Sequence, residues 1–380
     1  MSGKDPSQLG PAQLGPAQLE PADWALAPCL RDGPCAEAAS ELILAARRLG
    51  SSGAATAARS WTLPVIYAAM PEILGAEGDP VPLLEALWRR LSAALEAQRA
   101  CGWEALLPAA PAAPAGGQSL MQAGAAHFGQ LFAQFATQDL WERPRAQLEV
   151  RLRRNGLDPA LFRGQRVLDA GCGSGRMAFL FRLLGARQVL ALDLSREGLE
   201  LCRRRRDELG AGAEVQLLRG SALELPLADE SVDVSFSFGV LHHTVDWRRG
   251  LAEMVRVTRR GGLGLVFYLN EEPGGLFWDM LEVTRALLRH DPPARARAAL
   301  EALGVAPSAA IHMLDPALVP INLRLTPAEV EDALRAAGAA EVRRFTRGAD
   351  GDRIEQLQRG GPYAAVKWGV GENRYVFTRA

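Results

Sequence analysis

Three glycines at alternate positions, Gly171, Gly173 and Gly175, follow closely on an apolar run that ends in an acid, Asp169. The apolar run predicts a buried strand, and the glycines let the backbone turn tightly and approach a ligand without interference from a Cβ atom. One helix's length further on, a second apolar run ends in Asp193, whose carboxylate could accept protons from the two hydroxyls of a ribose. Together these residues predict a nucleotide-binding site.

The spacing of the glycines distinguishes between two kinds of nucleotide loop. A dinucleotide-binding loop needs its third glycine at the position that Arg176 occupies, and this departure weakens the case for a bound pyrophosphate. The remaining pattern resembles the loop of class I methyltransferases that binds S-adenosylmethionine (SAM). It is carried by residues 167–176 and by the second apolar run at residues 189–193.

The resemblance continues downstream of the loop. Residues 220–233 lead into an apolar strand that ends at Phe238, and Gly239-Val240-Leu241-His242-His243 follows it. Residues 251–257 and the turn Arg260-Gly261-Gly262 come next. In order and spacing, this series is similar to the small-molecule branch of class I methyltransferases, which is typified by ubiquinone and menaquinone ring methylation. The resemblance covers roughly residues 160 to 270 and implies a SAM-dependent methyltransferase.

The same resemblance implies a cofactor site. Its predicted members are Asp169, Gly171, Gly173, Gly175, Asp193, Leu194, Ser221, Ala222 and Phe238. The glycines would pass beneath the methionine part of SAM, Asp169 would orient the loop and the amino group, and Asp193 would bind the ribose. Leu194 would pack on the adenine. Ser221 stands where the family usually has an aspartate, and its neutral hydroxyl is a weaker acceptor for the adenine amine, although the backbone of Ala222 can still contribute.

Asp193 has a second interpretation. Ser195 follows it and a helix is predicted to begin there, so the carboxylate could simply be an acid at a helix N-terminus. The position of Asp193 at the end of the second predicted strand favours ribose binding.

Two adjacent histidines are the predicted catalytic residues. The sulfonium of SAM makes its methyl carbon electrophilic, so a methyltransferase mainly has to align a nucleophile for in-line attack. A general base helps only when the acceptor carries a proton at the working pH. His242 and His243 follow the predicted fourth strand, where acceptor and methyl group meet in this family. The alternative is that one histidine orients the loop and the other is solvated. This chemistry requires no metal, and the sequence predicts none.

Alternating strands and helices surround these residues. The pattern predicts strands at residues 166–170, 188–193, 214–219, 232–238, 263–269, 341–346 and 374–379. Helices are predicted at residues 175–184, 195–209 and 246–257, and a capping box at Thr326 opens another helix that ends near Gly338. Such alternation predicts an α/β fold with a Rossmann-like, doubly wound, seven-stranded and mostly parallel sheet.

Ligands of open α/β sheets bind outside the carboxyl ends of the parallel strands. Two long segments leave strands at that end, a helical insertion at about residues 271–322 and a connection at residues 347–373, and we assign both to the acceptor pocket. Candidate acceptor-contacting residues are Tyr268, His312, Tyr363, Lys367, Trp368, Glu372 and Asn373. Asp291-Pro292-Pro293 is similar to the acidic-diproline motif of methyltransferases acting on nucleic-acid bases, but that motif belongs right after the fourth strand.

Composition divides the chain into four parts. Residues 1–34 form a Pro/Gly/Ala-rich tail that we expect to be disordered, because it cannot bury enough apolar surface to offset chain entropy. Residues 35–107 have a helical period and predict a small all-helical domain; the residues that fall on one face are Leu84, Leu87, Trp88, Leu91 and Leu95. A Pro- and Gly-rich linker at residues 108–118 precedes the methyltransferase domain, residues 119–380.

The balance of charges excludes some classes of partner. Among 380 residues, 43 Lys and Arg stand against 44 Asp and Glu, so no global field attracts nucleic acid. The five cysteines are odd in number and lack a metal-binding spacing, which argues against a disulfide framework. Signal-peptide and membrane-helix patterns are not found in the sequence. We therefore expect a cytoplasmic protein with no membrane insertion and no nucleic-acid partner, and we assign no oligomeric state.

The predicted function is transfer of a methyl group from SAM to a small-molecule acceptor of specialised metabolism, by in-line attack on the methyl carbon. An alternative is that the helical residues 35–107 recruit a larger substrate, such as a protein, a carrier-bound acceptor or RNA. A third hypothesis is a SAM-binding protein without catalytic activity, against which the intact glycine loop argues.

Overall fold

The computed structural model describes residues 33–101 and 142–380. The predicted linker and nearly all of the predicted N-terminal tail lie outside these residues. The chain divides into two compact units. Their described parts are a helical unit, residues 33–101, 275–318 and 361–367, and a sheet unit, residues 142–274, 319–360 and 368–380.

The helices and strands are numbered here in chain order over the described residues. The α-helices are α1 (Ala36–Arg48), α2 (Gly53–Gly75), α3 (Val81–Ala100), α4 (Glu142–Arg154), α5 (Arg176–Leu183), α6 (Arg196–Glu208), α7 (Trp247–Val257), α8 (Gly275–Leu288), α9 (Pro293–Ala302), α10 (Pro307–Leu318), α11 (Pro327–Ala336), α12 (Arg353–Gln358) and α13 (Ala364–Trp368). The strands are β1 (Arg166–Ala170), β2 (Gln188–Asp193), β3 (Val215–Arg219), β4 (Val232–Phe238), β5 (Thr258–Leu269), β6 (Ala339–Arg344) and β7 (Asn373–Arg379).

The sheet has seven strands in the order β3-β2-β1-β4-β5-β7-β6. Strands β1 to β5 pair in parallel, whereas β7 runs antiparallel to both β5 and β6. This confirms the predicted Rossmann-like, mostly parallel sheet. Because the strand order reverses beside β1, the carboxyl ends of β1 and β4 flank the crevice where such sheets bind their ligands.

The predicted start of β5 is wrong by five residues, whereas β6 lies two residues before its predicted position and β3 and β7 each differ by one residue at their start. Strand β5 begins at Thr258 instead of residue 263, and the predicted turn Arg260-Gly261-Gly262 lies inside it. The reason is an irregularity in the pairing with β4, where the register shifts between the pairs that contain Val232 and Val234. The shift takes up the extra residues without ending the strand.

A row of aromatic rings packs along one face of the sheet. The ring centroids of Phe181 and Phe236 are 4.9 Å apart, those of Phe236 and Phe267 are 5.4 Å apart, and those of Phe267 and Phe345 are 5.0 Å apart. All four side chains are buried. Edge-to-face contacts of this kind add to the burial of apolar area, so they fix the spacing of β4 and β5, whose carboxyl ends carry the candidate site.

The helical unit combines two parts of the sequence. The predicted apolar face of α3 is buried, and it belongs to the same cluster as apolar residues of α1, α2 and α8. Helix α9 also packs against α2. Helix α10, which lies in the same segment, was not predicted from the sequence. The helices between residues 275 and 318, which the sequence suggests as an insertion in the methyltransferase domain, therefore pack with the N-terminal helices. The predicted domain boundaries stay a prediction.

Asp291 has a structural partner inside the helical unit. Arg59 donates two hydrogen bonds of 2.6 Å to its carboxylate, and the Thr56 hydroxyl donates a third of 2.6 Å. All three residues are buried. The Asp291-Pro292-Pro293 sequence thus joins the segment before α9 to α2.

Two negative findings apply to the described residues. Among the helices of residues 33–101 and 142–380, none is long and apolar enough to cross a membrane. The same residues contain no group of three or more His, Cys, Asp or Glu side chains that could hold a metal ion.

Candidate active site

The glycine loop after β1 is attached to the end of β2. The backbone N–H groups of Gly171 and Cys172 both donate to the Leu192 carbonyl, at 2.8 and 2.9 Å. The Gly173 N–H donates to Asp193 Oδ2 at 2.7 Å, and the Ser195 N–H donates to Asp193 Oδ1 at 2.7 Å. Asp193 therefore joins the loop to the start of α6. Each carboxylate oxygen has a further lone pair with which it could accept a hydroxyl proton.

All three glycines of the loop have left-handed backbone conformations, with φ of +87° at both Gly171 and Gly175 and +53° at Gly173. A Cβ atom on Gly171 would overlap the side chain of Val240, and one on Gly175 would overlap Cys202 and Phe179. At Gly171 and Gly175 the absence of a side chain therefore leaves room for neighbouring side chains of the protein. The glycines are thus needed for packing the loop onto its neighbours, a role that the sequence interpretation did not include.

Asp169 is buried at the base of the loop, with 1% of its surface exposed. Its Oδ2 atom has no hydrogen-bond partner among the described residues. Burial, followed by the charge of Asp193, raises the pKa of Asp169 to about 7, against a backbone hydrogen bond from Ala178 and the charge of Arg176. A buried carboxyl oxygen without a partner fits a cationic amino group, which is the predicted ligand of Asp169.

Ser221 and Ala222 follow β3 beside the same carboxyl ends. The Gly220 N–H donates to the Asp193 carbonyl at 3.1 Å, which holds this segment against the end of β2. Ser221 Oγ accepts a hydrogen bond of 3.1 Å from the Leu223 N–H. A hydroxyl has two lone pairs, so one acceptor position remains available for the adenine amine. Ala222 is buried and Leu194 is partly buried.

An aromatic wall, Phe238 and Tyr268, stands at the ends of β4 and β5. The ring centroids of Phe238 and Tyr268 are 5.1 Å apart. The guanidinium carbon of Arg176 lies 5.7 Å from the centroid of the Phe238 ring. The sequence marks Arg176 only as the residue that replaces a third glycine. Its contact with Phe238 has no local signal, because β2, α6 and β3 lie between the two residues in the chain.

Tyr268 occupies a bulge in β5. The register between β5 and β7 shifts between the pairs Phe267–Arg374 and Leu269–Asn373, and Tyr268 has a φ of +60°. Few bulky residues adopt this conformation, and such strain is found most often at functional sites. The guanidinium carbons of Arg374 and Arg353 lie 4.9 and 5.8 Å from the centroid of the Tyr268 ring. The bulge turns the tyrosine ring toward Phe238.

A buried ion network supports Tyr268 from within the sheet unit. Its members are Arg151, Glu271, Asp352, Arg353, Glu372 and Arg374. Arg353 donates to Glu271 at 2.7 and 2.9 Å, and Arg151 donates to Asp352 at 2.7 Å through each of two nitrogens. Arg374 also donates to Asp352. The two arginines hold the pKa of Asp352 below its usual range against the effect of its burial. Arg151 and Asp352 are 201 positions apart, so no sequence pattern predicts the network.

The two predicted catalytic histidines have different environments. His242 is buried, and burial, followed by the neighbouring His243, holds its pKa well below the usual value, so it is neutral at pH 7. His243 is partly buried, and its Nδ1 lies 2.7 Å from the Ile321 carbonyl. Because a carbonyl only accepts hydrogen bonds, Nδ1 of His243 carries the proton and the neutral ring has its lone pair on Nε2.

The other acceptor-pocket candidates are divided between the two units. His312 and Tyr363 are exposed in the helical unit, and Lys367 is buried there and donates from Nζ to the Ala76 carbonyl. Trp368, Glu372 and Asn373 belong to the sheet unit. Glu372 is part of the ion network, and the Asn373 side chain donates to the Leu325 carbonyl at 2.7 Å.

Comparison with known proteins identifies the family of the central segment. A family model described as a methyltransferase domain matches residues 168–266. The chain is 42% identical over 100 residues to phthiotriol/phenolphthiotriol dimycocerosates methyltransferase 1 of Mycobacterium ulcerans, a match covering 26% of this chain and 35% of that protein. It is 39% identical over 100 residues to malonyl-[acyl-carrier protein] O-methyltransferase of Serratia marcescens, covering 26% and 36%. The match thus spans about a third of the length of these relatives.

Among solved structures, a chain from the complex between the Haloferax volcanii Trm112 methyltransferase activator and a methyltransferase is similar with a TM-score of 0.41 and 19% identity, covering 68% of this chain and 94% of that one. The names of the two sequence relatives are not those of quinone methyltransferases, so the quinone branch stays a prediction. The matched residues 168–266 contain the glycine loop, Asp193, Phe238 and both histidines. The chain therefore contains a class I SAM-dependent methyltransferase domain.

Proposed function

We propose that this protein transfers a methyl group from SAM to a small-molecule acceptor, with the donor held by the glycine loop and the acceptor placed against Phe238 and Tyr268. The observation that carries the proposal is the double contact of Asp193, which accepts hydrogen bonds from the N–H groups of Gly173 and Ser195. This contact gives the loop one fixed shape with a carboxylate at its edge.

On the donor side, SAM supplies an electrophilic methyl carbon attached to a cationic sulfur when it is bound. The Asp169 carboxyl would accept hydrogen bonds from its amino group, and the Asp193 carboxylate would accept them from the ribose hydroxyls. Ser221 and Leu194 would contact the adenine. These roles are supported by the buried Oδ2 of Asp169 without a partner and by the remaining lone pairs of Asp193 and Ser221.

On the acceptor side, Phe238 and Tyr268 would exclude water and orient the acceptor. Their rings form a continuous apolar surface at the ends of two neighbouring parallel strands, and the ion network keeps the Tyr268 ring in place. Orientation is the main contribution that a protein makes to this type of transfer. The wall therefore suits an acceptor with an apolar or aromatic part next to its nucleophile.

His243 is the better candidate for general base. Hydrogen bonding to the Ile321 carbonyl fixes the ring and leaves the basic lone pair on Nε2. Buried His242 is a weaker base because its protonated form is disfavoured. We assign proton removal from the acceptor to His243 and positioning of His243 to His242, whose ring centroid lies 3.9 Å from that of His243.

The test is methyl transfer by the purified full-length chain. The chain is incubated with methyl-labelled SAM and pooled small-molecule metabolites, and products are separated by mass spectrometry. We expect S-adenosylhomocysteine and a labelled small molecule in equal amounts. The matched control is the Asp207→Ala variant, which removes an exposed acid on α6 away from the loop and should be as active as the wild type. Absence of any labelled product would contradict the proposal.

A carrier-bound acceptor is a second candidate, favoured by the name of the Serratia marcescens relative, which acts on malonyl-[acyl-carrier protein]. Removing residues 1–117 would also remove α1 to α3 and expose their apolar contacts with α8, so truncation is a poor test. A better one compares malonyl-carrier protein with a free malonyl thioester as acceptor for the intact chain. Methylation of the carrier-bound form alone would favour this candidate over a free small molecule.

A further inference from the structure

Arg176 differs from three buried arginines of the sheet unit, Arg151, Arg353 and Arg374. It is the first residue of α5, directly after the glycine loop, and its side chain is partly buried. Arg151, Arg353 and Arg374 each form an ion pair with a carboxylate. Among residues 33–101 and 142–380, by contrast, no carboxylate forms an ion pair with the Arg176 guanidinium, and no acceptor forms a hydrogen bond with it. Its guanidinium lies over the Phe238 ring.

The charged groups near Arg176 do not compensate for the absence of a paired carboxylate. Burial, followed by the charge of Arg151, lowers the pKa of Arg176, whereas Asp169 and Tyr268 act in the opposite direction. Asp169 is itself protonated over part of the neutral range, because its pKa is raised to about 7. A cation removed from water without a paired anion is unfavourable, and an aromatic ring compensates only in part.

The position of Arg176 indicates what could pair with it. The residue begins the helix that follows the donor loop, and its guanidinium lies over Phe238, which ends β4 on the acceptor side. A guanidinium offers two parallel N–H groups that match the two oxygens of a carboxylate. The positive end of the α5 dipole favours an anion at the same place.

We propose that Arg176 is the anion-binding residue of this site and takes a carboxylate group of a ligand, carried either by the methionine end of the donor or by the acceptor. The inference rests on the proposed function, because it places the carboxylate beside the donor loop. It also narrows the substrate class: if the carboxylate belongs to the acceptor, the acceptor is an anionic small molecule whose nucleophile lies a short distance from its acid group.

Binding measurements on the full-length chain distinguish the two sources. Calorimetry measures the affinity of the wild type and of R176M for S-adenosylhomocysteine and for its decarboxylated analogue. Labelled acetate, followed by nuclear magnetic resonance, reports on a carboxylate site in the free protein and in its S-adenosylhomocysteine complex. R187M is the matched control, because it also removes one positive charge and Arg187 is exposed.

If the donor supplies the carboxylate, R176M should bind S-adenosylhomocysteine roughly 10- to 100-fold more weakly than the wild type, while the decarboxylated analogue binds both proteins equally. If the acceptor supplies it, R176M should bind S-adenosylhomocysteine normally but lose the acetate site that the wild-type complex shows. R187M should match the wild type in both measurements. Equal affinities of wild type and R176M for both S-adenosylhomocysteine and acetate would overturn the inference.

Two further arrangements keep the test decisive. R176K retains the positive charge without the planar pair of N–H groups, so if R176M does not fold, R176K should show the same changes with a smaller size. A wild-type chain that binds no S-adenosylhomocysteine would contradict the proposed function, whereas Arg176 would still be judged by the difference in acetate binding between the free wild type and R176M. Failure of the proposed function and failure of the inference about Arg176 would therefore give different results.

Discussion

Asp193 and Gly173 are joined by a hydrogen bond of 2.7 Å between the carboxylate at the end of β2 and a backbone N–H of the glycine loop. The other oxygen of the same carboxylate accepts the Ser195 N–H, also at 2.7 Å. The residue proposed to bind the ribose therefore also shapes the loop that holds the rest of the donor. Changes at Asp193 should affect both donor binding and the local stability of the loop.

The first prediction concerns Asp193→Ala. This change removes two hydrogen bonds to a charged acceptor within the protein and the contact proposed for the ribose. We expect S-adenosylhomocysteine to bind roughly 10- to 100-fold more weakly, as measured by calorimetry. Ser195→Ala is the control, because it keeps Asp193 but removes the side chain that caps α6 through the Gly198 N–H. That variant should lose about 1 kcal/mol of unfolding free energy and retain donor affinity.

The second prediction concerns Gly171→Ala. The left-handed backbone alone should lower the free energy of unfolding by about 1–2 kcal/mol, and overlap with Val240 should add to this loss. The double variant Gly171→Ala with Val240→Ala should recover part of the loss in urea unfolding. Gly212→Ala is the matched control, because its backbone is not left-handed and a Cβ there meets nothing within 4 Å. A double variant as unstable as the single one would refute the packing role.

The third prediction concerns the pH dependence of stability through Asp169. Its pKa in the folded protein, about 7, lies above the ordinary value of 3.8, so between these values the folded state binds more protons than the unfolded state. The free energy of unfolding from this group should therefore fall as the pH rises from about 4 to about 7. Asp169→Asn should remove that contribution, as measured by urea unfolding at a series of pH values.

His242 acts in the opposite direction. Burial holds its pKa well below the ordinary value of 6.5, so the unfolded state binds more protons than the folded state below that value. Its contribution to stability is present above pH 6.5 and is lost as the pH falls. The contributions of Asp169 and His242 to the pH dependence of stability partly cancel in the wild type. In Asp169→Asn only the contribution of His242 remains, so the free energy of unfolding should decrease on acidification. A variant profile that still falls with rising pH would contradict the assignment to Asp169.

The fourth prediction concerns the helical unit. Asp291→Asn weakens the pair with Arg59 and leaves a buried guanidinium without its counter-charge. We expect the free energy of unfolding to decrease by about 3–5 kcal/mol in urea denaturation. Glu96→Gln is the control, because it breaks an exposed pair with Arg48 in the same unit and should cost under about 1 kcal/mol. Similar decreases in the free energy of unfolding for both variants would show that burial does not increase the contribution of the Arg59–Asp291 pair.

The fifth prediction concerns His243→Gln. Glutamine can still donate a hydrogen bond to the Ile321 carbonyl but cannot take up a proton near pH 7. For an acceptor whose nucleophile carries a proton, kcat should fall by roughly 10²- to 10⁴-fold while the affinity for S-adenosylhomocysteine stays unchanged. The increase in kcat with pH that a histidine general base produces should also be absent from this variant. An unchanged kcat would assign His243 to positioning of the loop instead.

The sheet was predictable because its signals are local. Each parallel strand is a short apolar run, and glycine or acid residues mark where it ends, so β1 and β2 were predicted to the residue. The capping box at Thr326 and Glu329 is present as predicted, since both of its hydrogen bonds lie within four residues. The apolar face of α3 follows from helical spacing in the same way.

The features of the fold and of the candidate site that were not predicted depend on contacts between distant parts of the chain. No residue near Tyr268 in the sequence indicates a bulge, because the register shift arises from the pairing of β5 with β7, which lies more than a hundred residues later. The bond between Glu271 and Arg353 spans 82 positions, and the pair of Arg59 with Asp291 spans 232. Helix α10 was not predicted because Pro316 lies inside it and its pattern is weak. These features follow from tertiary packing, which local patterns do not encode.

The central claim is that the loop from Asp169 to Gly175, together with Asp193, holds SAM. Calorimetric titration of the purified full-length chain with S-adenosylhomocysteine tests it most directly. We predict one site per chain with a Kd between roughly 1 µM and 1 mM, together with a higher melting temperature in the presence of the ligand. No heat of binding and no change in melting temperature at millimolar ligand, for a chain that unfolds cooperatively, would contradict the account.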